Sequence, residues 1–378
     1  MVVAPMVDHS DLPFRMLTRR YGAQLVFSQM LNSNVLIQCQ EYRDELITTC
    51  AEDRPLIIQL CGDNPRSSRI LLLHFRLMGV FRVILQAARY VEDKCDAIDL
   101  NFGCPQGIAR RGHYGAFLMD ELELLHDIVS TLVNGVKVPV TCKTRIFSDF
   151  DKTIKLCETL VAAGASMLTI HGRLREEKGH EVSFANWDMI RRIKAHFVSR
   201  GIKIPIISNG GISNAEDFER CLDFTQADGA MTSEAILENP AFFADVLENS
   251  GRFPKRSQVD LAEEYLDLCQ TYPGNSMRIV RSHMMKFLHR YFVVHEDIRD
   301  LAAKSHSYAE FYRVVKLCRE YAEDESRYAQ TWYHRHLFPR HEHAAKVNAT
   351  FLAAVREKQF ASSLYNEEDL GFGNLFQE

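Results

Sequence analysis

Cys104 lies between Gly103 and Pro105, close behind Asn101, in the run Ala97-Ile98-Asp99-Leu100-Asn101-Phe102-Gly103-Cys104-Pro105-Gln106. A short apolar stretch ends in a polar residue and then turns sharply. A cysteine between Gly and Pro does not belong to a regular strand or helix interior, so it sits on a stiff turn where its sulfur can face a ligand. Three roles compete for it: packing, metal ligation, and proton or nucleophile chemistry. A metal would need a cluster of His and carboxylates on neighbouring strand ends, and those ends carry one histidine, His171, and no acid cluster. A cysteine hydrolase would need a nearby histidine base, which the sequence neither requires nor excludes. An unperturbed thiol, with a pKa of about 8.5, is mostly protonated at neutral pH and can act as an acid.

Other polar residues recur at comparable places. Pro5-Met6, Gln59, Asn101, Lys143, Arg145, His171, Arg173 and Asn209 each end, or closely follow, a short apolar run. Lys143 offers a fixed positive charge, with an ion pair to Asp99 as its ordinary alternative. Such a charge also suits the N1–C2=O edge of a flavin, which becomes anionic on reduction. His171 can donate to a carbonyl or phosphate, and Arg145 and Arg173 can grip an anion. Asn209-Gly210-Gly211, together with Ser233 and Glu234 after the last run, offers backbone amides for a phosphate.

The elements that must position these residues are eight apolar runs: Val2–Met6, Leu25–Met30, Leu56–Leu60, Ala97–Asn101, Val138–Lys143, Met167–His171, Ile204–Ser208 and Gly229–Thr232. Helix-period stretches such as Lys152–Ala163, Trp187–Arg200 and Ala215–Leu222 alternate with them, capped by Asp151 and Asn214 and stopped by Gly164 and Gly201. Eight strand–helix repeats predict an α/β protein with a (β/α)8 TIM barrel, whose active site forms at the C-terminal strand ends. An open doubly wound sheet is the weaker alternative, because no Gly-x-Gly-x-x-Gly follows an early strand. One stretch departs from the repeat: after the helix start Asp63-Asn64-Pro65, residues Arg66–Phe81 read as an insertion of about 16 residues, since Arg82–Ala88 alone would supply an ordinary barrel helix.

Beyond Asn239-Pro240 the pattern changes to helices: Val259–Leu268, Met277–Tyr291, Ile298–Lys304 and Tyr308–Asp324. The expected division is a catalytic barrel over 1–248, a small all-helical C-terminal domain over 249–340, and a loosely attached tail over 341–378. The chain of 378 residues carries a net charge of −5, yet residues 251–340 hold 15 Lys and Arg against 12 Asp and Glu. Met277–Tyr291 contains no acid, and Arg278, Arg281, Lys286 and Arg290 lie away from its apolar stripe. A basic helical domain beside a catalytic barrel suits an anionic macromolecule. The segment Trp332–Arg340 adds aromatics among basic residues, suited to stacking and phosphate contact.

Ten scattered cysteines without a Cys-x-x-Cys pair read as reduced cytosolic thiols. A cytoplasmic protein is expected, with the nucleus as the alternative. Met1-Val2-Val3-Ala4-Pro5 has no basic n-region and enters a strand at once, so no signal peptide is expected. No run of about 18 apolar residues predicts a membrane span.

The chain resembles the tRNA-dihydrouridine synthases through Ala4-Pro5-Met6, Gln59-Leu60, Asn101-Phe102-Gly103-Cys104-Pro105, Lys143-Thr144-Arg145, His171-Gly172-Arg173, Asn209-Gly210-Gly211 and Glu234–Pro240. Val7–Arg15 and Arg111–Leu118 are similar to the eukaryotic branch acting at D-loop positions 16 and 17. The resemblance implies FMN as cofactor, NADPH (or NADH) as reductant and tRNA as partner, with no metal and a monomeric chain. It implies that Cys104 gives a proton to uracil C5 while hydride reaches C6. Pro5, Met6, Val7, Gln59, Lys143, His171, Asn209, Gly210, Gly211, Ser233 and Glu234 would hold the flavin. Asn101, Arg145 and Arg173 would orient the base, and Arg278, Arg281, Lys286 and Arg290 would meet tRNA. Glu234 stands where bacterial relatives have arginine, which points to the backbone amides there rather than to its side chain. The rival readings are a dihydropyrimidine or dihydroorotate dehydrogenase-like flavoenzyme and a catalytically impaired tRNA-binding homologue.

Overall fold

A computed structural model describes residues 1–62, 73–179, 182, 184–247 and 256–321, with the side chains of 73–81 left undescribed. Eight parallel strands close into a barrel in sequence order. They are β1 (Val2–Val3), β2 (Leu25–Asn32), β3 (Leu56–Cys61), β4 (Ala97–Phe102), β5 (Val140–Ile146), β6 (Leu168–Leu174), β7 (Ile206–Asn209) and β8 (Gly229–Thr232). Closure is made by β1 pairing with β8, Val2 opposite Met231 and Val3 opposite Thr232. Every residue of β3 is buried, as expected of a parallel strand covered on both faces.

The outer layer holds α1 (Leu12–Arg20), α2 (Leu73–Val91), α3 (Leu122–Gly135), α4 (Phe150–Ala162), α5 (Trp187–Ser199) and α6 (Ala215–Thr225). Asn214 caps α6 by accepting from the Asp217 amide at 2.7 Å. The cap of α4 is Asp149, which accepts from the Lys152 amide at 2.6 Å, so Asp151 falls inside the first turn. Asp63-Asn64-Pro65 and the first part of the expected insertion, 66–72, lie outside the described residues. Its remainder belongs to α2, which runs unbroken through 81 to Val91. The barrel closes across this region, with Ile57 to Leu60 of β3 opposite Ala97 to Leu100 of β4.

Helices α7 (Gln258–Thr271), α8 (Met277–Phe287), α9 (His289–Val294), α10 (Glu296–Lys304) and α11 (Tyr308–Arg319) follow the barrel. The single helix expected over Met277–Tyr291 is thus two, broken at the buried Leu288. These helices dock on the barrel through α1, against which α7 packs. At the seam the fully buried His283 pairs with Asp11 at 2.6 Å, and Tyr265 and Asn275 also donate to Asp11. The Phe14 ring stacks on His283 with centroids 4.7 Å apart. Trp332–Arg340 and the tail 341–378 lie outside the described residues. Among the described residues no helix is long and apolar enough to cross a membrane.

Candidate active site

Strand register sets the site in layers. Gln59, Asp99 and Thr141 are lateral partners across β3, β4 and β5, and two residues further on Asn101 stands beside Lys143. Arg145, His171 and Asn209 are likewise partners across β5, β6 and β7. The period of two along each strand turns these side chains to the same face, at the C-terminal end of the barrel.

The Asn101 side chain makes its hydrogen bonds to groups other than the cysteine sulfur. Its Oδ1 accepts from the backbone amides of Gly103 at 3.1 Å and Cys104 at 2.9 Å. The Cys104 carbonyl accepts from the Ala116 amide at 3.0 Å. Gly115, at φ +64°, lies so close that a Cβ would stand 2.7 Å from that carbonyl. The turn is therefore gripped from both sides while its side chain remains partly open. Burial pushes the Cys104 thiol above its ordinary pKa, against the opposing pull of the Gln106 backbone, Arg145 and Lys143. Cys104 is a protonated thiol at neutral pH.

Around it gathers positive charge. Burial, then Arg145, lowers Lys143 to a pKa of about 8. No ion pair joins it to Asp99, whose carboxylate instead accepts from Gln59 and Thr141. Among the described residues the Lys143 side chain makes no hydrogen bond or ion pair, although its backbone is held in the sheet between Asn101 and Thr169. Burial, then the charges of Arg145, Lys143 and Arg173, drives His171 well below its ordinary value, so it is a neutral ring. The Arg173 guanidinium donates to its Nε2 at 3.3 Å. A mouth with cationic walls and a neutral imidazole is built to receive an electron-rich or anionic group.

Two expected ligand contacts are used within the protein. Arg145 donates to the carbonyls of Gly103 at 2.8 Å, Leu174 at 2.7 Å and Glu177 at 3.1 Å, so it fixes the turn before Cys104. Gln59 is fully buried, with its amide between Asp99 and Asn101. Pro5 and Met6 begin the loop after β1, and Val7 is exposed.

Asn209 to Gly211, Ser233 and Glu234 line a cleft with His171 and Arg173. Gly210 and Gly211 have φ of +101° and +76°, and a Cβ on Gly210 would meet the His171 ring at 2.7 Å. Only glycine fits there, both for its backbone and for the ring beside it. Asn209 donates to the Met231 carbonyl at 3.0 Å, tying β7 to β8 below the cleft.

The basic residues of the C-terminal helices are engaged within the protein, two with the barrel and two among the helices themselves. Arg278 forms two hydrogen bonds with Asp8, at 2.6 and 2.9 Å, and Arg290 pairs with the buried Glu238 at 3.1 Å. Arg281 donates to the Ser305 carbonyl at 2.7 Å, and Lys286 lies on Ser282. The acid partners of Arg278 and Arg290 are absent from the helix because Asp8 stands on the loop after β1 and Glu238 on the short helix Glu234–Glu238 after β8, which one-element charge counting does not find. Sequence reading also misses the Asp11–His283 seam; a lone histidine on an apolar helix face carried its only signal. Among the described residues no three His, Cys, Asp or Glu side chains gather as a metal would require.

Comparison with known proteins agrees with this arrangement. A Mus musculus protein named as a tRNA-dihydrouridine(16/17) synthase-like protein is 41% identical over 305 residues, covering 80% of this chain and 58% of its own. A Saccharomyces cerevisiae tRNA-dihydrouridine(16/17) synthase is 38% identical over 310 residues, covering 80% of this chain and 68% of its own. A Schizosaccharomyces pombe protein of the same name is 36% identical over 309 residues, covering 80% and 72%. The chain thus spans less than two thirds of the mouse relative's length. With the family model for dihydrouridine synthase matching residues 2–327, the chain belongs to the dihydrouridine synthase family.

Proposed function

We propose that the chain reduces the 5,6 double bond of D-loop uridines in tRNA, at positions 16 and 17, with FMN bound in the barrel mouth and NADPH, or NADH, as reductant. The observation that carries this reading is Cys104: a protonated thiol on a clamped turn, facing a cationic mouth. The relatives named for positions 16 and 17 supply the choice of uridine.

The residues fit a flavin mononucleotide. The half-buried Lys143 ammonium, which has no hydrogen-bond or ion-pair partner among the described side chains, suits the electron-rich edge of an isoalloxazine, and the positive-φ Gly210–Gly211 turn on the cleft offers backbone amides to a phosphate. Pro5, Met6 and Val7 would flank the ring system, with Asn209, Ser233 and Glu234 on the phosphate side. A flavin held by these residues would supply, once reduced, hydride chemistry at C6 of the base.

The protein's own residues do the rest. A base reached by an enzyme must leave its stack. Asn101, Arg173 and the neutral His171 offer hydrogen bonds to orient it, and the Cys104 thiol gives its proton to C5. Arg145 holds the cysteine turn rather than the base. On the C-terminal helices Arg278 remains 55% exposed despite Asp8, so it can share a phosphate, as can Arg281, Lys286 and Arg290. The pairing of β3 with β4 supports an active enzyme over a catalytically impaired homologue. Dihydrouridine formation in unmodified tRNA, with salt-sensitive tRNA affinity, tests the proposal. Salt-independent reduction of free uracil would replace it with a dihydropyrimidine dehydrogenase-like activity.

A further inference from the structure

We propose that Asp99 is a positioning residue for Cys104, acting through a one-way hydrogen-bond relay that passes along Gln59 and Asn101 to the backbone amides of Gly103 and Cys104. The functional part of this inference rests on the reading of Cys104 as proton donor; the relay itself does not.

The direction of the relay follows from its two ends. At the upper end the N–H groups of Gly103 and Cys104 can only donate, so Asn101 must present Oδ1 to them and Nδ2 to its other neighbour. At the lower end an ionised carboxylate can only accept, so Gln59 must present Nε2 to Asp99, at 2.8 Å, and Oε1 upward. The two amides then meet correctly, Asn101 Nδ2 donating to Gln59 Oε1 at 2.9 Å. Reversing either amide would set donor against donor or acceptor against acceptor.

Burial makes this arrangement informative. Asp99 and Gln59 are both fully buried in the barrel interior. Asp99 is fixed on its other oxygen by the Thr141 hydroxyl at 2.6 Å, with Lys143 the charged group and Cys142 the titratable thiol facing it from β5. A buried carboxylate is costly, and an asparagine would fill the same volume without the charge. What asparagine lacks is the property of accepting at both oxygens. Among the described residues the Thr141 hydroxyl donates only to Asp99, so an asparagine there keeps that bond only by turning its amide donor toward Gln59.

Three variants test the relay, each assayed for Cys104 alkylation by iodoacetamide, melting temperature, and kcat and KM with tRNA. Asp99→Asn puts an amide donor against Gln59 and should reverse the relay. With the Gly103 and Cys104 amides both left without an acceptor, at a cost of ~1–3 kcal/mol each, kcat should fall by at least roughly 10-fold with KM kept, together with faster alkylation. Asp99→Asn combined with Gln59→Glu moves the acceptor-only group up one link. The introduced glutamate carboxylate would accept from the introduced asparagine below it and from Asn101 above it, and both readouts should return toward the parent. Thr141→Val removes the other bond to Asp99 without altering the relay's direction, so it should lower the melting temperature and leave the alkylation rate alone. The proposal is overturned if Asp99→Asn and Thr141→Val change the alkylation rate alike, or if the double variant stays where Asp99→Asn put it. A relay that controls alkylation while Cys104→Ala retains turnover would uphold the relay and remove the proton-donor reading instead.

Discussion

Asn101 holds Cys104 by its backbone: Oδ1 accepts the Cys104 amide hydrogen at 2.9 Å and makes no hydrogen bond to the sulfur. The side chain that aims the thiol therefore does not compete for its proton. Arg145 adds a second grip through the Gly103 carbonyl at 2.8 Å. A thiol acid needs a fixed direction and a pKa above the working pH, and the turn supplies the first while burial supplies the second.

Cys104→Ala should therefore keep the fold, the flavin and tRNA affinity while turnover falls by about 10²- to 10⁴-fold, the usual weight of one positioned acid. Single-turnover reduction of tRNA uridine, alongside visible absorbance of the purified chain, measures the two separately. Unchanged turnover would remove Cys104 from the chemistry.

Lys143 titrates at about 8, with Arg145, Asp99 and Cys104 as its charged or titratable neighbours. Its folded pKa lies below the unfolded value of 10.5, so between these limits the unfolded chain binds more protons and stability rises with pH across that window. Loss of the ammonium has the opposite effect on an electron-rich ligand. Flavin affinity should weaken as pH rises through about 8, and Lys143→Met should be weak throughout and flat in that range. Fluorescence titration of flavin between neutral and alkaline pH checks both.

Gly210→Ala meets two obstacles, a φ of +101° and a contact of 2.7 Å with the His171 ring. A strained backbone position costs about 1–3 kcal/mol, and displacement of the ring narrows the cleft beside it. The variant should fold with a lowered melting temperature and lose bound flavin on gel filtration. Gly274→Ala, also at positive φ (+126°) but with nothing within 4 Å, is the control that should share strain and keep flavin.

The seam between barrel and C-terminal helices depends on Asp11. Burial pushes its carboxyl up, but the attraction and hydrogen bonds of His283, Asn275 and Tyr265 outweigh it and hold it below the ordinary value. A depressed carboxylate contributes stability above its unfolded pKa and loses it as pH falls through the folded one. The acid limb of unfolding should therefore carry an Asp11 contribution that Asp11→Ala abolishes. Removing one partner of a buried pair costs about 3–5 kcal/mol, read from urea unfolding at neutral pH.

The barrel was legible because each strand is an apolar run ending in a polar residue, and the observed strands overlap all eight runs. Boundaries moved where side chains face inward regardless of polarity. Strand β5 continues through Lys143 and Arg145 to Ile146, since barrel-mouth residues keep strand geometry while serving the site. Short strands β1 and β7 shrank for the converse reason, as Ala4 to Met6 turn into a loop and Ile204 precedes the pairing. Site membership was legible in the same way, but the partner of each side chain was not. Spacing along one strand does not reveal that Gln59 lies beside Asp99 on the next, or that Arg278 meets Asp8 about 270 residues away. Those relations arise from register and from the docking of α8, which sequence pattern alone does not encode.

The most direct measurement is mass spectrometry of unmodified tRNA incubated with the purified chain, FMN and NADPH. A gain of two hydrogens per modified uridine, mapped to positions 16 and 17 and absent with Cys104→Ala, is the expected result. A chain that binds tRNA and flavin yet leaves every uridine unreduced, under conditions where a related synthase is active, would contradict it.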